Sequence, residues 1–271
     1  MEKLNTVVIT GSARGFGYEM SKIFRQNGYN VVLSDINEQG LAAAKDNLLA
    51  LPGKGDVISV VCNVTDYNQV QGLWDSAVKA FGSVDIWINN AGVNQPDKPV
   101  AELMQKEIDF LLDVDLKGSI YGSRIAFAGM QKQGYGKIFN VEGYGSNDAM
   151  MLGLSLYGTA KRAITYFTSA LAKESDILTN GKVVVGRLAP GIMITDFIKS
   201  ANGGATKIEL PEKTKKVYNI LGDYASTIAE YVVPKMIKCT KNGKQIIWLT
   251  NRRAFGRFLT AGFKKRNFFA E

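Results

Sequence analysis

Short β-branched runs alternate with amphipathic stretches along nearly the whole chain. The run from Asn5 to Thr10, with Val7, Val8 and Ile9 together, predicts a buried strand. After a glycine-rich turn, Met20, Ile23 and Phe24 fall on one face of a helix. Val31, Val32 and Leu33 predict a second strand over residues 30–35, and further strands are expected at 57–61, 84–88, 137–141, 182–188 and 245–250. Helical patterns lie between them at 38–49, 102–131, 154–175 and 223–238, and Asp66 is placed to cap another that runs to about Phe81. Beyond Pro190-Gly191 a looser stretch with Gly203-Gly204 runs to about Lys216. Alternation of strand and helix implies an α/β fold: one doubly wound, Rossmann-like domain, with a seven-stranded parallel sheet and helices on both faces. That domain is expected over residues 1–250, with 251–271 as a basic amphipathic tail packed on it.

Composition narrows the chemistry more than the fold. The 271 residues are 46% hydrophobic and 21% charged, ordinary for a globular protein. No apolar run is long enough to cross a bilayer, and the start, Met1-Glu2-Lys3-Leu4-Asn5, leads straight into a strand with no room for a signal peptide. Cys62 and Cys239 are far apart and lack metal-like spacing, so a reducing cytoplasm is the expected setting. Histidine is absent, which excludes Ser-His-Asp and Cys-His mechanisms and most transition-metal sites. No metal is expected, and proton transfer must rest on Tyr, Lys or carboxylates. The net charge is +8, but from Thr250 to Glu271 six basic residues (Arg252, Arg253, Arg257, Lys264, Lys265, Arg266) face one acid, so the tail carries five of the eight charges. With the body so nearly balanced, a nucleic-acid partner is not expected.

The candidate chemistry falls at strand ends, where such sheets bind ligands. Gly11-Ser12-Ala13-Arg14-Gly15-Phe16-Gly17 between the first strand and helix has the form of a phosphate cradle: its glycines admit a pyrophosphate and the helix start supplies free N–H groups. Asp35 ends the second strand, 18 residues after Gly17. An acid there accepts hydrogen bonds from ribose hydroxyls and repels a 2′-phosphate, which favours NAD. Arg14 is the argument for NADP as the alternative. Asn89-Asn90-Ala91-Gly92 ends the fourth strand with small amide-bearing residues, which also suit a plain turn. Tyr157 and Lys161 share one helix face at a spacing of four, and a cation beside a phenol lowers its pKa toward a useful acid or base.

Taken together, Thr10-Gly-x-x-x-Gly-x-Gly17, Asn89-Asn-Ala-Gly92, Tyr157-x-x-x-Lys161 and Pro190-Gly191 resemble the short-chain dehydrogenase/reductase family from about Asn5 to Thr250. The resemblance implies that Tyr157 moves the proton, that Lys161 holds the nicotinamide ribose and tunes Tyr157, and that Thr195 contacts the carboxamide. It places Ser12, Arg14, Phe16, Asn63, Val64, Asn90, Ala91, Gly92, Pro190 and Gly191 along the cofactor, and it implies a homodimer or homotetramer. Two positions depart from the family pattern. Gly143 stands where the family has a carbonyl-polarising Ser, with Ser146 the expected replacement and Tyr144 a second candidate. Asp115 stands where the family has an Asn that anchors a relay water. The run around Glu142-Gly-Tyr-Gly-Ser146 is similar to the chlorophyll(ide) b reductase branch of the family.

Tyr144, Met150 and Met151 in one loop and Met193 and Phe197 in another suggest a pocket for a bulky hydrophobic ketone or alcohol, such as a steroid, bile acid or tetrapyrrole. Packing of the lid explains the same residues without a ligand. The expected function is therefore NAD(P)-dependent interconversion of a secondary alcohol and a ketone or aldehyde, with a non-catalytic dinucleotide sensor as the alternative. Phe255, Phe258, Leu259 and Phe263 repeat at helical intervals in the tail. The preferred reading is a short helix that closes the pocket, and contact with a membrane surface is the other.

Overall fold

The computed structural model describes residues 4–201, 204, 206–263 and 265–269. Gly203 of the looser stretch, Lys264 and Glu271 of the tail, and residues 1–3 lie outside the described residues.

The chain runs β1 (Thr6–Thr10), α1 (Gly15–Gln26), β2 (Asn30–Asp35), α2 (Glu38–Ala50), β3 (Val57–Val61), α3 (Tyr67–Phe81) and β4 (Ile86–Asn89). It continues with α4 (Gln105–Leu111), α5 (Gly118–Gln133), β5 (Gly136–Val141), α6 (Ser155–Thr179) and β6 (Val183–Ala189). The last part holds β7 (Met193–Ile194), β8 (Ser200–Ala201), β9 (Thr206–Lys207), α7 (Glu212–Leu221), β10 (Asp223–Tyr224), α8 (Ala225–Ile237), β11 (Gln245–Ile247) and α9 (Asn251–Thr260). Seven strands form one sheet in the order β11-β6-β5-β4-β1-β2-β3, every pair parallel. The chain leaves β1 toward β2 and β3 on one side, then returns to build β4, β5, β6 and β11 on the other. The reversal between β1 and β4 opens a crevice at the carboxyl ends of these strands.

Both faces of the sheet are covered, so strand residues are apolar on both sides, as parallel sheets require. Val7 and Ile9 point into a core with Phe16, Met20 and Phe24 of α1 and Ile228 and Val232 of α8. Val8 and Trp87 point the other way, among Val70, Leu73 and Trp74 of α3 and Ile125 of α5. Asp66 caps α3 as its position implies, accepting from the N–H groups of Asn68 and Gln69.

Three elements differ from the sequence pattern. The expected long helix over 102–131 is split, because six residues from Leu112 to Lys117 form a π-helical turn between α4 and α5. The stretch expected to be loose to Lys216 ends inside α7, which begins at Glu212 and runs on to Leu221 with none of its side chains fully buried. The seventh strand pairs only over Gln245–Ile247 and gives way to α9, which Thr250 caps by accepting from Arg253 N–H.

Phe139 is fully buried between the sheet and its neighbours, whereas Leu49 is 40% exposed. Phe139→Ala is expected to cost about 3–5 kcal/mol of stability, and Leu49→Ala within about 0.5 kcal/mol. Chemical denaturation of the two variants beside the parent checks both.

Candidate active site at the carboxyl edge of the sheet

A cleft of about 420 Å³ opens over the strand ends. Its floor begins with the glycine loop. A Cβ on Gly17 would lie 2.3 Å from Gly11 O and 2.7 Å from Asn90 Nδ2, so α1 sits against β1 at a distance only glycine permits. Asn90 Nδ2 donates to Thr10 O and Gly11 O, both at 2.9 Å, and fastens the end of β4 to that loop. Gly15 has φ +59 with nothing within 4 Å of a Cβ position, so its backbone lies open to the cleft. No side chain caps the start of α1, which leaves its first N–H groups for an anion. Asp35 faces the same cleft and accepts from Ala13 N–H at 3.2 Å and Asn37 N–H at 3.1 Å. A glycine cradle, free helix N–H groups and an acid one strand over are the donor and acceptor set a dinucleotide needs, so the residues fit that group.

Gly11, Arg14, Gly15, Phe16 and Asp35 line the cleft, as do Asn63 and Val64 after β3 and Asn90, Ala91 and Gly92 after β4. Tyr157, Lys161 and Thr195 complete the expected set at its inner end, with Met193 and Phe197 from the substrate list. Other expected residues are not brought there. Ser12 is buried and spends its hydroxyl on Ile9 O at 2.8 Å while accepting Ser34 N–H. Gly17 packs beneath the loop, Pro190 is buried, and Gly191 turns the chain where a Cβ would meet Leu249 at 2.7 Å. Tyr144, Met150 and Met151 do not reach the cleft: Met150 is 91% exposed, and Tyr144 Oη donates outward to Met150 O at 2.9 Å.

Ser146 also fails to reach the cleft. Its Oγ accepts Gly143 N–H at 3.2 Å and donates to Lys161 O at 3.4 Å, so it shapes the loop. Nor is there room for a hydroxyl where the family pattern has one. A Cβ on Gly143 would stand 2.3 Å from Tyr157 Oη, so the phenol itself fills the space in front of residue 143.

The chemistry centres on Tyr157, Lys161 and Asp115. Lys161 Nζ lies 2.8 Å from Asp115 Oδ2, with both side chains almost wholly buried, and 5.3 Å from the centre of the Tyr157 ring. The π-helical turn carries Asp115 inward, where its Oδ1 accepts Val93 N–H at 2.7 Å. Burial pushes the Tyr157 phenol up to about 12; Lys161 pulls it down, but Asp115 offsets that pull. Burial alone would depress Lys161, but Asp115, Tyr157 and Glu142 outweigh it and hold the ammonium above its usual range. Lys161 thus lowers the phenol, as the spacing implies, but burial outweighs that pull and Asp115 adds to the rise.

Two positioning residues were not among those expected at the site, and Gln95 carries no signal in the sequence, whereas Glu142 lies in the run noted above. Gln95, on the loop after β4, accepts from Leu156 N–H and Tyr157 N–H with Oε1, both at 3.0 Å, and so caps α6 from 62 residues away. Glu142 lies at the inner wall of the cleft and accepts from Thr165 at 2.9 Å, Gln245 at 2.5 Å and Arg187 at 3.3 Å. No cluster of His, Cys, Asp or Glu suited to a metal occurs among the described residues.

Comparison with family models matches residues 5–205 to the family described as short chain dehydrogenase. Chlorophyll(ide) b reductase NOL, chloroplastic, of Oryza sativa subsp. japonica is 31% identical over 98% of this chain and 78% of that protein. Probable chlorophyll(ide) b reductase NYC1, chloroplastic, of the same plant is 31% identical, and the chain spans only 54% of its length. The 3-oxoacyl-[acyl-carrier-protein] reductase FabG of Thermotoga maritima is 30% identical over 77% of this chain and 78% of that protein. Levodione reductase, at 24% identity, shares the fold with a TM-score of 0.80 over 92% of this chain and 98% of that one.

Two variants separate the local roles. Ser146→Ala is expected to keep turnover within about threefold of the parent, not the ~10²–10³ loss of a missing oxyanion donor, whereas Gly143→Ser displaces Tyr157 and lowers turnover while dinucleotide binding persists. Burial does most to hold the Tyr157 proton, and Asp115→Asn removes the charge that adds to it, so Tyr157 should ionise at lower pH. Tyrosinate absorbance, titrated beside Tyr157→Phe in each background, reads the shift, and an unchanged midpoint would refute the role given to Asp115.

Proposed function

The chain belongs to the short-chain dehydrogenase family of NAD(P)-dependent oxidoreductases, and we propose that it acts as a reductase of an aldehyde or ketone carbonyl on a bulky hydrophobic molecule. The observation that carries this reading is the buried Tyr157 phenol beside the Lys161–Asp115 pair, in the same cleft as the glycine loop. A phenol pushed up to about 12 keeps its proton at neutral pH. In that form it can donate the proton that a carbonyl oxygen takes up on reduction.

In this reading Gly11, Gly15 and the start of α1 bind the pyrophosphate, and Asp35 binds the adenosine ribose. Asn63, Val64, Asn90, Ala91 and Gly92 line the rest of the dinucleotide, with Lys161 and Thr195 at its reactive end. Bound there, the dinucleotide supplies a hydride to the carbonyl carbon. Tyr157 Oη gives its proton to the carbonyl oxygen, and solvent returns one. Lys161, held by Asp115, fixes the phenol and stabilises the phenolate left behind. NAD is preferred because Asp35 would repel a 2′-phosphate, and Arg14, the argument for NADP, lies 3.9 Å from Asp196 in an exposed pair.

The substrate class rests on three supports. Met193 and Phe197 give the inner cleft an apolar wall, with the Phe197 ring 6.1 Å from that of Tyr157. With no second hydroxyl at residue 143, a carbonyl that is electrophilic by itself, such as an aldehyde on a conjugated ring, needs least help. Relatives along nearly the whole chain are named for reducing a large tetrapyrrole. A homodimer or homotetramer through α5 and α6 agrees with the exposed Tyr166 and Ile177 on α6, and two buried free thiols, Cys62 and Cys239, agree with a reducing compartment. A dinucleotide sensor is the competing reading, favoured by the space lost at Gly143.

Oxidation of NADH and NADPH against formyl tetrapyrroles, oxo-steroids, oxo-bile acids and small polyol ketones tests the proposal. The expected outcome is NADH-preferring reduction of a bulky carbonyl that falls by ~10²–10⁴ in Tyr157→Phe, with the preference for NADH weakened in Asp35→Ser. A preference for the small ketones sinks the bulky-substrate reading. Tight NADH binding without turnover in either direction on the whole panel supports the sensor.

A further inference from the structure

The tail is seated the wrong way round for a helix that closes a pocket. Arg253, Arg257 and Arg266 face the body, whereas Phe255, Phe258, Leu259 and Phe263 face away; Phe268 and Phe269 at the end of the tail pack inward, on Tyr224 and Tyr218. The Arg253 guanidinium lies 3.7 Å from the centre of the Trp248 ring. Arg257 pairs with Asp223 at 2.6 Å and donates to Leu221 O at 2.8 Å. Arg266 pairs with the other oxygen of Asp223 at 3.2 Å and donates to Gly222 O at 2.9 Å. Phe255, Phe258, Leu259 and Phe263 are left 65%, 53%, 64% and 94% exposed, and no described tail residue lines the cleft.

Four large apolar side chains in nine residues, three on one face of α9 and Phe263 in the turn after it, are more than scattered surface hydrophobics. Charge says what covers them. Arg252 is exposed beside the apolar face and Lys265 just beyond it, while α7, packed against α9, exposes Lys213 and Lys216. The acid nearest this group in the chain, Glu212, is already paired with Lys215 at 2.7 Å. An apolar stripe flanked by cations matches the interface of an anionic bilayer, where rings enter the acyl boundary and Lys and Arg meet the headgroups. A second copy of this chain would bring the same cations against these. No helix among the described residues is long and apolar enough to cross a membrane, so the contact is one of lying on the surface.

We infer that α9 and the turn after it dock this protein on an anionic lipid surface through Phe255, Phe258, Leu259 and Phe263, with Arg252, Lys213, Lys216 and Lys265 meeting the headgroups. The arginine mounts keep the helix in place with or without lipid, so the apolar face is preformed. The inference is independent of the substrate proposed above.

The test is flotation of the full chain with vesicles of phosphatidylcholine alone or with 30% phosphatidylglycerol, at about 50 and 300 mM salt, spanning roughly a twofold change in screening length. Binding to the anionic vesicles is expected to fall about tenfold or more at the higher salt and to be lost in the triple variant Phe255→Ser, Phe258→Ser, Leu259→Ser. Arg252→Glu with Lys265→Glu should weaken it while leaving the apolar face intact. Since all five side chains point outward, unchanged NADH binding and circular dichroism confirm that the variants fold. Equal retention of the triple variant, no retention at low salt, or a parent oligomer that the triple variant converts to monomer without vesicle binding in the parent would each overturn the proposal. The last would identify a second copy as the occupant.

Discussion

A lysine ammonium and an aspartate carboxylate 2.8 Å apart, both withdrawn from water, govern this molecule's working end. Removing either partner would strand a charge in the interior, at a cost of about 3–5 kcal/mol. Much of the surrounding structure follows from satisfying the pair. The backbone of α4 and α5 loosens into a π-helical turn to deliver Asp115. The loop after β4 approaches until Val93 N–H reaches the second carboxylate oxygen. The same loop sends Gln95 to the start of α6, whose first turns carry Tyr157 and Lys161. One electrostatic requirement thereby ties three segments that are remote in sequence, and the phenol is positioned by all of them.

The pair also explains why the departures from the family pattern belong together. Burial, helped by the neighbouring Asp115, raises the Tyr157 phenol beyond what Lys161 lowers it, and the phenol keeps its proton. With glycine at 143, that phenol occupies the space a serine would need. A site of this kind gives up some polarising power and holds its proton more firmly, a combination suited to a carbonyl that is already reactive. Glu142 adds a second buried acid at the wall, held by Thr165, Gln245 and Arg187 instead of by the lysine. Its bonds join α6, β6 and β11 behind the cleft.

The sheet was legible because most strands carry a short run of Val, Ile or Leu, and α1 and α3 between them each turn one apolar face to it. The cleft's glycines, Asp35, Asn90, Tyr157 and Lys161 were legible because they occupy strand ends or the first turns of a helix, where local geometry and ligand contact impose the same residue types. What the sequence hid had other causes. α7 was hidden although Val217, Tyr218, Ile220 and Leu221 sit on it, because four Lys and Glu residues in its first turns mask a face that is only half-buried. Gln95 acts across 62 residues through two main-chain bonds, which no short-range pattern encodes. Ser146, Tyr144 and Met150 are close in sequence to Tyr157, yet the loop folds back on itself and turns them elsewhere. The tail's amphipathic spacing was visible, but spacing alone does not say which face is turned toward the body, and here cation–π stacking and carbonyl acceptors drew the arginines inward.

That seating has an optical consequence. The chain has three tryptophans. Trp74 and Trp87 lie against each other in the core, their ring centres 6.1 Å apart. Trp248 is held by Asp223 through its indole N–H and covered by the Arg253 guanidinium. Its emission therefore depends on whether the arginine remains stacked above it, whereas the two core indoles are indifferent to the tail. The protein carries an intrinsic fluorophore at the root of its C-terminal helix, able to register unseating of that helix with no label attached.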